Sequence, residues 1–353
     1  MLAGSCDAAP RSSGEPVTPS DLSRRRLLGL GLGAGAAALL SACGGGSSAS
    51  APVAGGSPAT GAKKVTVRTC VYAKNHASSP LFWQMFAPAN YTIEVVPVTS
   101  SAQIQDALEA GQLDFGLLGP YTTVTAAATG KPFTSKIVSM TARQGVGLIG
   151  RKGQVATVAD LKGRKVAVPP PGTQVLILND LLRKAGLTLG KDVIAVPLGY
   201  ADHPAALERG DVAAYIGTEP LCTKSVVAGV GVRVPGVRST PVGDFNTANW
   251  ASSKVLRERP DVVREVVKMQ RAAAQYLTPG GVNDKAVWKD LLVTQFGYAV
   301  PVYEEVLSNI GAVATFDQTR VDQVKGAGKL LLAQGGIPKE PDYEQLFARE
   351  YWV

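Results

Sequence analysis

Residues 107–120 read ALEAGQLDFGLLGP, and about a hundred positions later residues 206–220 read ALERGDVAAYIGTEP. Ala107, Leu108, Glu109 and Gly111 align with Ala206, Leu207, Glu208 and Gly210. Residues 113–118 align with 212–217, and Pro120 with Pro220 after one inserted residue. Each copy is a helix end, a glycine where a left-handed residue stops a helix, a short apolar strand, a loop and a further helix. Just before the first copy, Ser100 and Gln103 have capping-box spacing and Ile104, Ala107 and Leu108 form an apolar stripe, which predicts a helix over 101–110. Strands alternating with helices of this length predict parallel sheets, and duplication of the unit predicts two similar lobes.

The neighbouring segments extend this pattern. Residues 64–71 and 92–98 alternate as strands, and LKGRKVAV at 161–168 leads through Pro169, Pro170, Pro171 and Gly172 into a helix. In that helix Leu178, Leu181, Leu182 and Ala185 fall at i, i+3, i+4 and i+7, with Thr173 as the expected N-cap and Gly186 as the stop. From Ser252 onward the pattern is mainly amphipathic helix, over 260–277, 285–296, 302–310 and 317–334.

Composition narrows the function. The chain has 353 residues, 45% apolar and 18% charged, which is long enough for two cores and too weakly charged for a disordered protein. Lys+Arg 36 against Asp+Glu 28 gives +8. Without basic clusters this balance argues against a nucleic-acid partner and suits attraction of small anions. Cysteines at 6, 43, 70 and 222 form no CxxC pair, and His76 and His203 cannot build a His-rich metal centre, so zinc sites are excluded. No cofactor is expected.

Residues 1–42 read as an export signal. Arg24, Arg25 and Arg26 form a twin-arginine region, and the uncharged residues 27–42 are shorter than the roughly 20 residues that a membrane helix needs. Leu40, Ser41, Ala42 and Cys43 resemble a bacterial lipobox, which makes Cys43 the expected site of lipidation and the new N-terminus. Residues 43–62 contain only small residues and proline after Cys43 and read as a flexible tether.

Gly145, Gly147 and Gly150 spell G-x-G-x-x-G, but Arg151, Lys152 and Gly153 follow instead of an apolar helix, and an acidic residue about twenty positions on is lacking. The glycines are better read as letting the chain pass between lobes. The sequence contains no G-x-S-x-G elbow, P-loop or H-E-x-x-H. His76 lacks an organised catalytic partner and reads as a loop residue bonding ligand or backbone, and His203 as a helix start. Cys70 and Cys222 fall in different lobes, where a disulfide would block relative motion, so two buried or cleft-side thiols are favoured over a bond. What remains is a set of polar loops at strand ends: Asn75, His76, Ser78 and Ser79; Gly119, Tyr121 and Thr122; Gly172, Thr173 and Gln174; and Glu219. Ligands of open α/β sheets bind beyond the carboxyl ends of strands, where helix N-termini favour anions. These loops are expected to form one cleft.

Taken with ALEAGQLDFGLLGP (107–120), LKGRKVAVPPPGT (161–173), LGYADHPAALERGDVAAYIGTEP (198–220) and NWASSKVLRERPDVV (249–263), the chain resembles the solute-binding lipoproteins of ABC importers. Within them it is similar to the group spanning nitrate, sulfonate and taurine binders and pyrimidine-precursor binders. The resemblance implies a type II periplasmic-binding-protein fold: α/β, two lobes, mixed or parallel sheets flanked by helices, and a hinge. The expected division is 63–141 plus 246–353 for lobe 1 and 142–245 for lobe 2, with the chain crossing near 141–147 and returning near 243–250. It also implies ligand contacts at 75–79, 119–122, 172–174 and Glu219, to which Arg143 is added as a counter-charge, Tyr200 as a stacking ring and Asn249 as a further contact. The segment between Leu81 and Tyr91 is shorter than in the family, and Ala213 replaces its usual acid. The implied role is that of a monomeric, extracytoplasmic binder, anchored to the membrane through Cys43, that delivers a small anionic solute to a permease with a cytoplasmic ATPase. Two alternatives stay open: a flat heterocycle stacked on Tyr121 or Tyr200, and a cysteine-dependent desulfurase-like enzyme using Cys70.

Overall fold

The computed structural model describes residues 63–130 and 133–352, so the expected signal, lipobox and tether lie outside the described residues. Strands β1 (Val65–Tyr72) and β2 (Tyr91–Val98) pair in parallel, with Val65 opposite Tyr91 and Tyr72 opposite Val98. Their connection holds a polar loop, a 3-10 turn at Ser79–Phe82 and the single-turn helix α1 (Trp83–Phe86). α2 (Ser101–Glu109) begins where the capping box predicts. Ser100 Oγ accepts the Gln103 N–H at 3.3 Å, and Gln103 Oε1 accepts the Thr99 N–H at 3.0 Å, one residue upstream of the expected partner. β3 (Phe115–Leu118) is wholly buried and leads through Gly119 into α3 (Pro120–Ala128).

The chain passes between lobes where β4 (Lys136–Gln144) gives way to β5 (Val146–Arg151), with φ of 62° at Gln144 and 82° at Gly145. The second lobe continues with β6 (Lys165–Val168), α4 (Thr173–Lys184), β7 (Ile194–Pro197), α5 (His203–Arg209), β8 (Ala214–Thr218), α6 (Leu221–Val227) and β9 (Gly231–Val234). β10 (Phe245–Ala251) returns to the first lobe and leads into α7 (Ser253–Glu258) and α8 (Pro260–Leu277), and β11 (Ile310–Ala312) completes that sheet.

The sheets are mixed. Parallel pairing holds for β1 with β2 and for β6 with β7 and β8. β10 is antiparallel to both β3 and β4 in the order β11-β4-β10-β3, and β5 is antiparallel to β8 and β9 in the order β7-β6-β8-β5-β9. The cause is the double crossing. β10 runs back from the second lobe while β3 and β4 run toward it, and a strand inserted without a helical crossover lies antiparallel to its neighbours. β1 also lies along β3, tied by the Asp114 N–H to the Arg68 carbonyl at 2.9 Å.

α8 anchors the first lobe. Val262, Val263, Val266 and Val267 are buried with Trp83, Phe115 and Trp288, each valine contributing about 1.5 kcal/mol of transfer free energy. In the second lobe Ile149, Ala167 and Tyr215 pack on Leu207 of α5. The late helix Gln318–Ala333 packs against both α3 and α4. At its end Gln334 Oε1 accepts from Asn179 Nδ2 at 3.2 Å, and near its start Arg320 pairs with Asp244 just before β10. This helix backs the crossing from behind, leaving the carboxyl ends of β1, β3, β6 and β8 to form the front.

Candidate functional site

The loop after β1 is organised by its own short bonds. Asn75 Oδ1 accepts the Ala77 N–H at 2.8 Å, an Asx-type turn, and Ser78 Oγ donates to the Asn75 carbonyl at 2.5 Å. This turn aims two side chains at the second lobe. Asn75 Nδ2 donates to Thr218 Oγ1 at 3.1 Å, and His76 Nδ1 lies 3.3 Å from the Glu219 carbonyl. A carbonyl can only accept, so Nδ1 carries the proton and the buried Nε2, which has no protein partner, is the bare acceptor. Burial lowers the His76 pKa from 6.5 to about 4, which keeps the ring neutral. A Cβ on Gly145 would sit 2.0 Å from the His76 ring, so the crossing residue must be glycine both for its positive φ and for this approach.

A second junction lies beside it. A Cβ on Gly119 would fall 2.7 Å from Thr173 Oγ1, so the N-cap of α3 in one lobe touches the first residue of α4 in the other. Neither helix has a side-chain cap. α1, α5 and α8 lack one as well, whereas α2 and α7 are capped by Ser100 and Ser252, and in the first turn of α6 the Glu219 carboxylate accepts the Thr223 N–H. Two helix N-termini without side-chain caps thus lie side by side, each with free first-turn amides and a positive dipole end.

Gly172, not Thr173, is the N-cap of α4, so Thr173 stands inside the first turn with its hydroxyl toward Gly119. Tyr121, Thr122 and Gln174 are half-buried on the first turns of α3 and α4. Tyr200 is half-buried, 5.8 Å from the ring of His203, and burial first and then the Tyr72 phenol of the other lobe raise its pKa. His203 does start α5, with Nε2 3.2 Å from the Leu198 carbonyl.

Ser78, Ser79, Glu219 and Arg143, all expected contacts, are engaged within the protein. Ser78 Oγ holds its own loop. Ser79 Oγ donates at 2.9 Å to Gln270 Oε1 of α8, which also accepts from Trp83 Nε1 at 2.9 Å. The Glu219 carboxylate turns into the second lobe, 2.7 Å from Arg233 Nη1, and only its carbonyl meets His76. Burial raises the Glu219 pKa and Arg233 opposes this. Arg143 donates to the Gly281 carbonyl at 3.2 Å, which turns it away from Thr173. Asn249 differs: it is fully buried in the centre of its sheet, between Leu117 and Ser139, and neither its Oδ1 nor its Nδ2 has a protein partner.

Thr218, Gly145 and Tyr72 belong to the crevice although the sequence did not single them out as contacts. Tyr298 also reaches the loop, donating to the Lys74 carbonyl at 3.0 Å. Tyr72 ends a strand and could have been found by that rule. Tyr298 lies more than two hundred residues from its partner and had no local signal. Cys70 and Cys222 are free, buried thiols. Burial lifts Cys70 to about 11 and Cys222 well above its ordinary value, so both are protonated at neutral pH.

The NMT1/THI5-like family pattern matches residues 85–279, more than half of the chain. The chain is 32% identical over 169 residues to the Escherichia coli "Putative aliphatic sulfonates-binding protein", covering 48% of this chain and 50% of that one. It thus spans about half the length of the curated relatives it matches. Among solved structures, the alkanesulfonate-binding protein SsuA from Xanthomonas axonopodis pv. citri, bound to MOPS, superposes with a TM-score of 0.68 at 22% identity, covering 81% of this chain and 99% of that one. The desulfurization enzyme DSZB superposes at 0.61 with 16% identity, covering 82% and 97%. At these identities the structural likeness establishes the type II periplasmic-binding-protein fold.

Proposed function

The chain belongs to the NMT1/THI5-like family, and from that premise we propose that it is the extracytoplasmic solute-binding component of an ABC importer, closing two lobes over a small anion such as an aliphatic sulfonate, taurine or nitrate. The observation that carries this reading is the pair of uncapped helix N-termini, Gly119 of α3 and Gly172 with Thr173 of α4, brought together from opposite lobes. Like dipole ends repel, and a bound anion contacting both converts that repulsion into attraction that exists only in the closed form. Differential affinity of this kind is what shifts a two-state hinge, and a change from 1:99 to 99:1 needs about 5.5 kcal/mol. The Tyr121 and Tyr200 phenols and the Thr122 and Thr173 hydroxyls supply neutral donors around the anion.

We read the protein as a binder and not an enzyme, because a nucleophilic thiol must ionise and burial keeps both Cys70 and Cys222 protonated. Lipidation of Cys43, monomeric state and delivery to a membrane permease belong to the same proposal. A second reading, a flat heterocycle between the lobes, is supported by the proximity of Tyr72 and Tyr200.

A thermal-shift panel tests the choice. Ligand at a hundred times its Kd adds about 2.7 kcal/mol and raises Tm by several degrees. A shift with aliphatic sulfonates, taurine or nitrate supports the anion reading, and a shift only with pyrimidines replaces it. Mass spectrometry of the recovered compound reports turnover, which would overturn the assignment as a binder.

A further inference from the structure

One pair of polar side chains inside the first lobe has no partners. Asn249 of β10 stands directly opposite Ser139 of β4 on one side and Leu117 of β3 on the other. Residues opposite one another on antiparallel strands put their side chains on the same face of the sheet, with Cβ atoms about 5 Å apart. Asn249 is 0% exposed and Ser139 1%. Asn249 Oδ1, Asn249 Nδ2 and Ser139 Oγ are all sealed from solvent, and none of them meets a protein donor or acceptor. A buried polar atom left in that state costs at least as much as a lost hydrogen bond.

The polar groups around this pair are satisfied directly. Thr141 and Thr247 lie on the same two strands, one step nearer the crossing. Their hydroxyls bond to each other at 2.8 Å, and Thr141 Oγ1 also donates to the Thr247 carbonyl at 3.0 Å. On α8, Gln270 Oε1 accepts from Ser79 and Trp83 while its Nε2 donates to the Val313 carbonyl at 3.1 Å. The pair at 139 and 249 is therefore an exception among its neighbours, and what completes it has to come from outside the protein.

We propose that Asn249 and Ser139 hold an ordered internal water. The occupant must donate to Asn249 Oδ1 and accept from Asn249 Nδ2, while the Ser139 hydroxyl can do either. A sulfonate or nitrate oxygen only accepts and would face the lone pairs of Oδ1, and an ammonium group only donates. Water does both, and an internal water makes about three hydrogen bonds to groups of this kind. Ala77 packs with Leu117 and Ala142, so the loop that carries Asn75 and His76 rests on the sheet beside this water. Asn249 then acts beneath the solute-binding loop instead of touching the solute, and the assignment is the same whichever solute the crevice takes.

The test is a crystal structure of the full chain, grown alone and with ethanesulfonate. The expected electron density is a water within hydrogen-bonding distance of the Asn249 carboxamide and of Ser139 Oγ in both crystals. Density in which the carboxamide bonds to Ser139 or to other protein groups, without water between them, overturns the proposal. So does a sulfonate oxygen at that position. Melting of variants gives a second readout. Ser139→Ala and Asn249→Ala each remove one side of the bridge and should each lower Tm by roughly 2 to 4 °C. Both lose the same water, so the double variant should lose clearly less than the sum of the two, and additive losses overturn the shared site. The wild-type crystals decide the case even where a variant fails to fold.

Discussion

Acidification should open the lobes through His76. In the closed form its ring is buried against Gly145 and the Glu219 carbonyl and its pKa is about 4, whereas a solvent-exposed ring titrates near 6.5. The sign follows from the neutral ring being the form the closed state accepts. Above pH 6.5 nothing changes. As the pH falls toward 4 the open state takes up a proton that the closed state refuses, and closure loses about 1.4 kcal/mol per pH unit. At pH 5 the accumulated loss is about 2 kcal/mol, roughly thirtyfold in the closed-to-open ratio, and it saturates at about 3 kcal/mol below pH 4. The other titratable groups near the ring are Glu219 with its partner Arg233, and Lys74 and Tyr298, which meet at the base of its loop. Glu219 has a raised pKa through burial, but its carboxylate is held within the second lobe by Arg233 and titrates with unfolding instead of opening. His203 is also lowered to about 4, but it is held within the second lobe by the Leu198 carbonyl and titrates with unfolding instead of opening. Small-angle scattering and hydrogen exchange of residues 74–78 between pH 7.5 and 5 measure opening directly. The wild type should expand and lose protection while His76→Gln stays flat. A wild-type protein that remains compact at pH 5, or identical profiles for the two, would refute the argument.

Three further outcomes follow from single contacts. Gly145→Ala places a methyl in the His76 ring at a positive-φ position; it should weaken solute binding more than tenfold, measured by calorimetry, and near-normal affinity would mean that the close approach does not control closure. Arg233→Met leaves the Glu219 carboxylate buried without its partner and should cost about 3 kcal/mol at pH 7. The loss should shrink in acid as Glu219 protonates, and a pH-independent change in denaturation midpoint contradicts the ion-pair account. Gln270→Leu removes the acceptor shared by Ser79 Oγ and Trp83 Nε1, with an expected loss of about 2 to 4 kcal/mol in urea denaturation; a loss under 1 kcal/mol would mean that the two donors find other partners.

The duplicated unit was legible because each of its signals acts within a few residues. Gly111 and Gly210 stop helices with φ of 66° and 81°, and the Ser100 cap and the buried strands at 115–118 and 214–218 follow from local pattern. The strand-end rule likewise found Asn75, His76, Gly119 and Thr173, which meet across the lobes. At Ser79 and Glu219, and at Arg143, which was added as a counter-charge and not by that rule, the side chain turns instead to Gln270, Arg233 or Gly281. Those partners lie 14 to 191 residues away in sequence, beyond the reach of any periodicity.

Local signals along the backbone dictate that this chain folds as alternating strands and helices in two lobes, because helix stops, caps and apolar stripes are set by near neighbours. They also place the polar loops at the strand ends. Long-range packing settles which of those loops come together, that β10 runs antiparallel between β3 and β4, and that two helix N-termini without side-chain caps, from opposite lobes, lie side by side. Those features depend on where the chain crosses and returns, a matter of packing between residues far apart in sequence, and burial then decides which polar atoms remain free to receive a ligand.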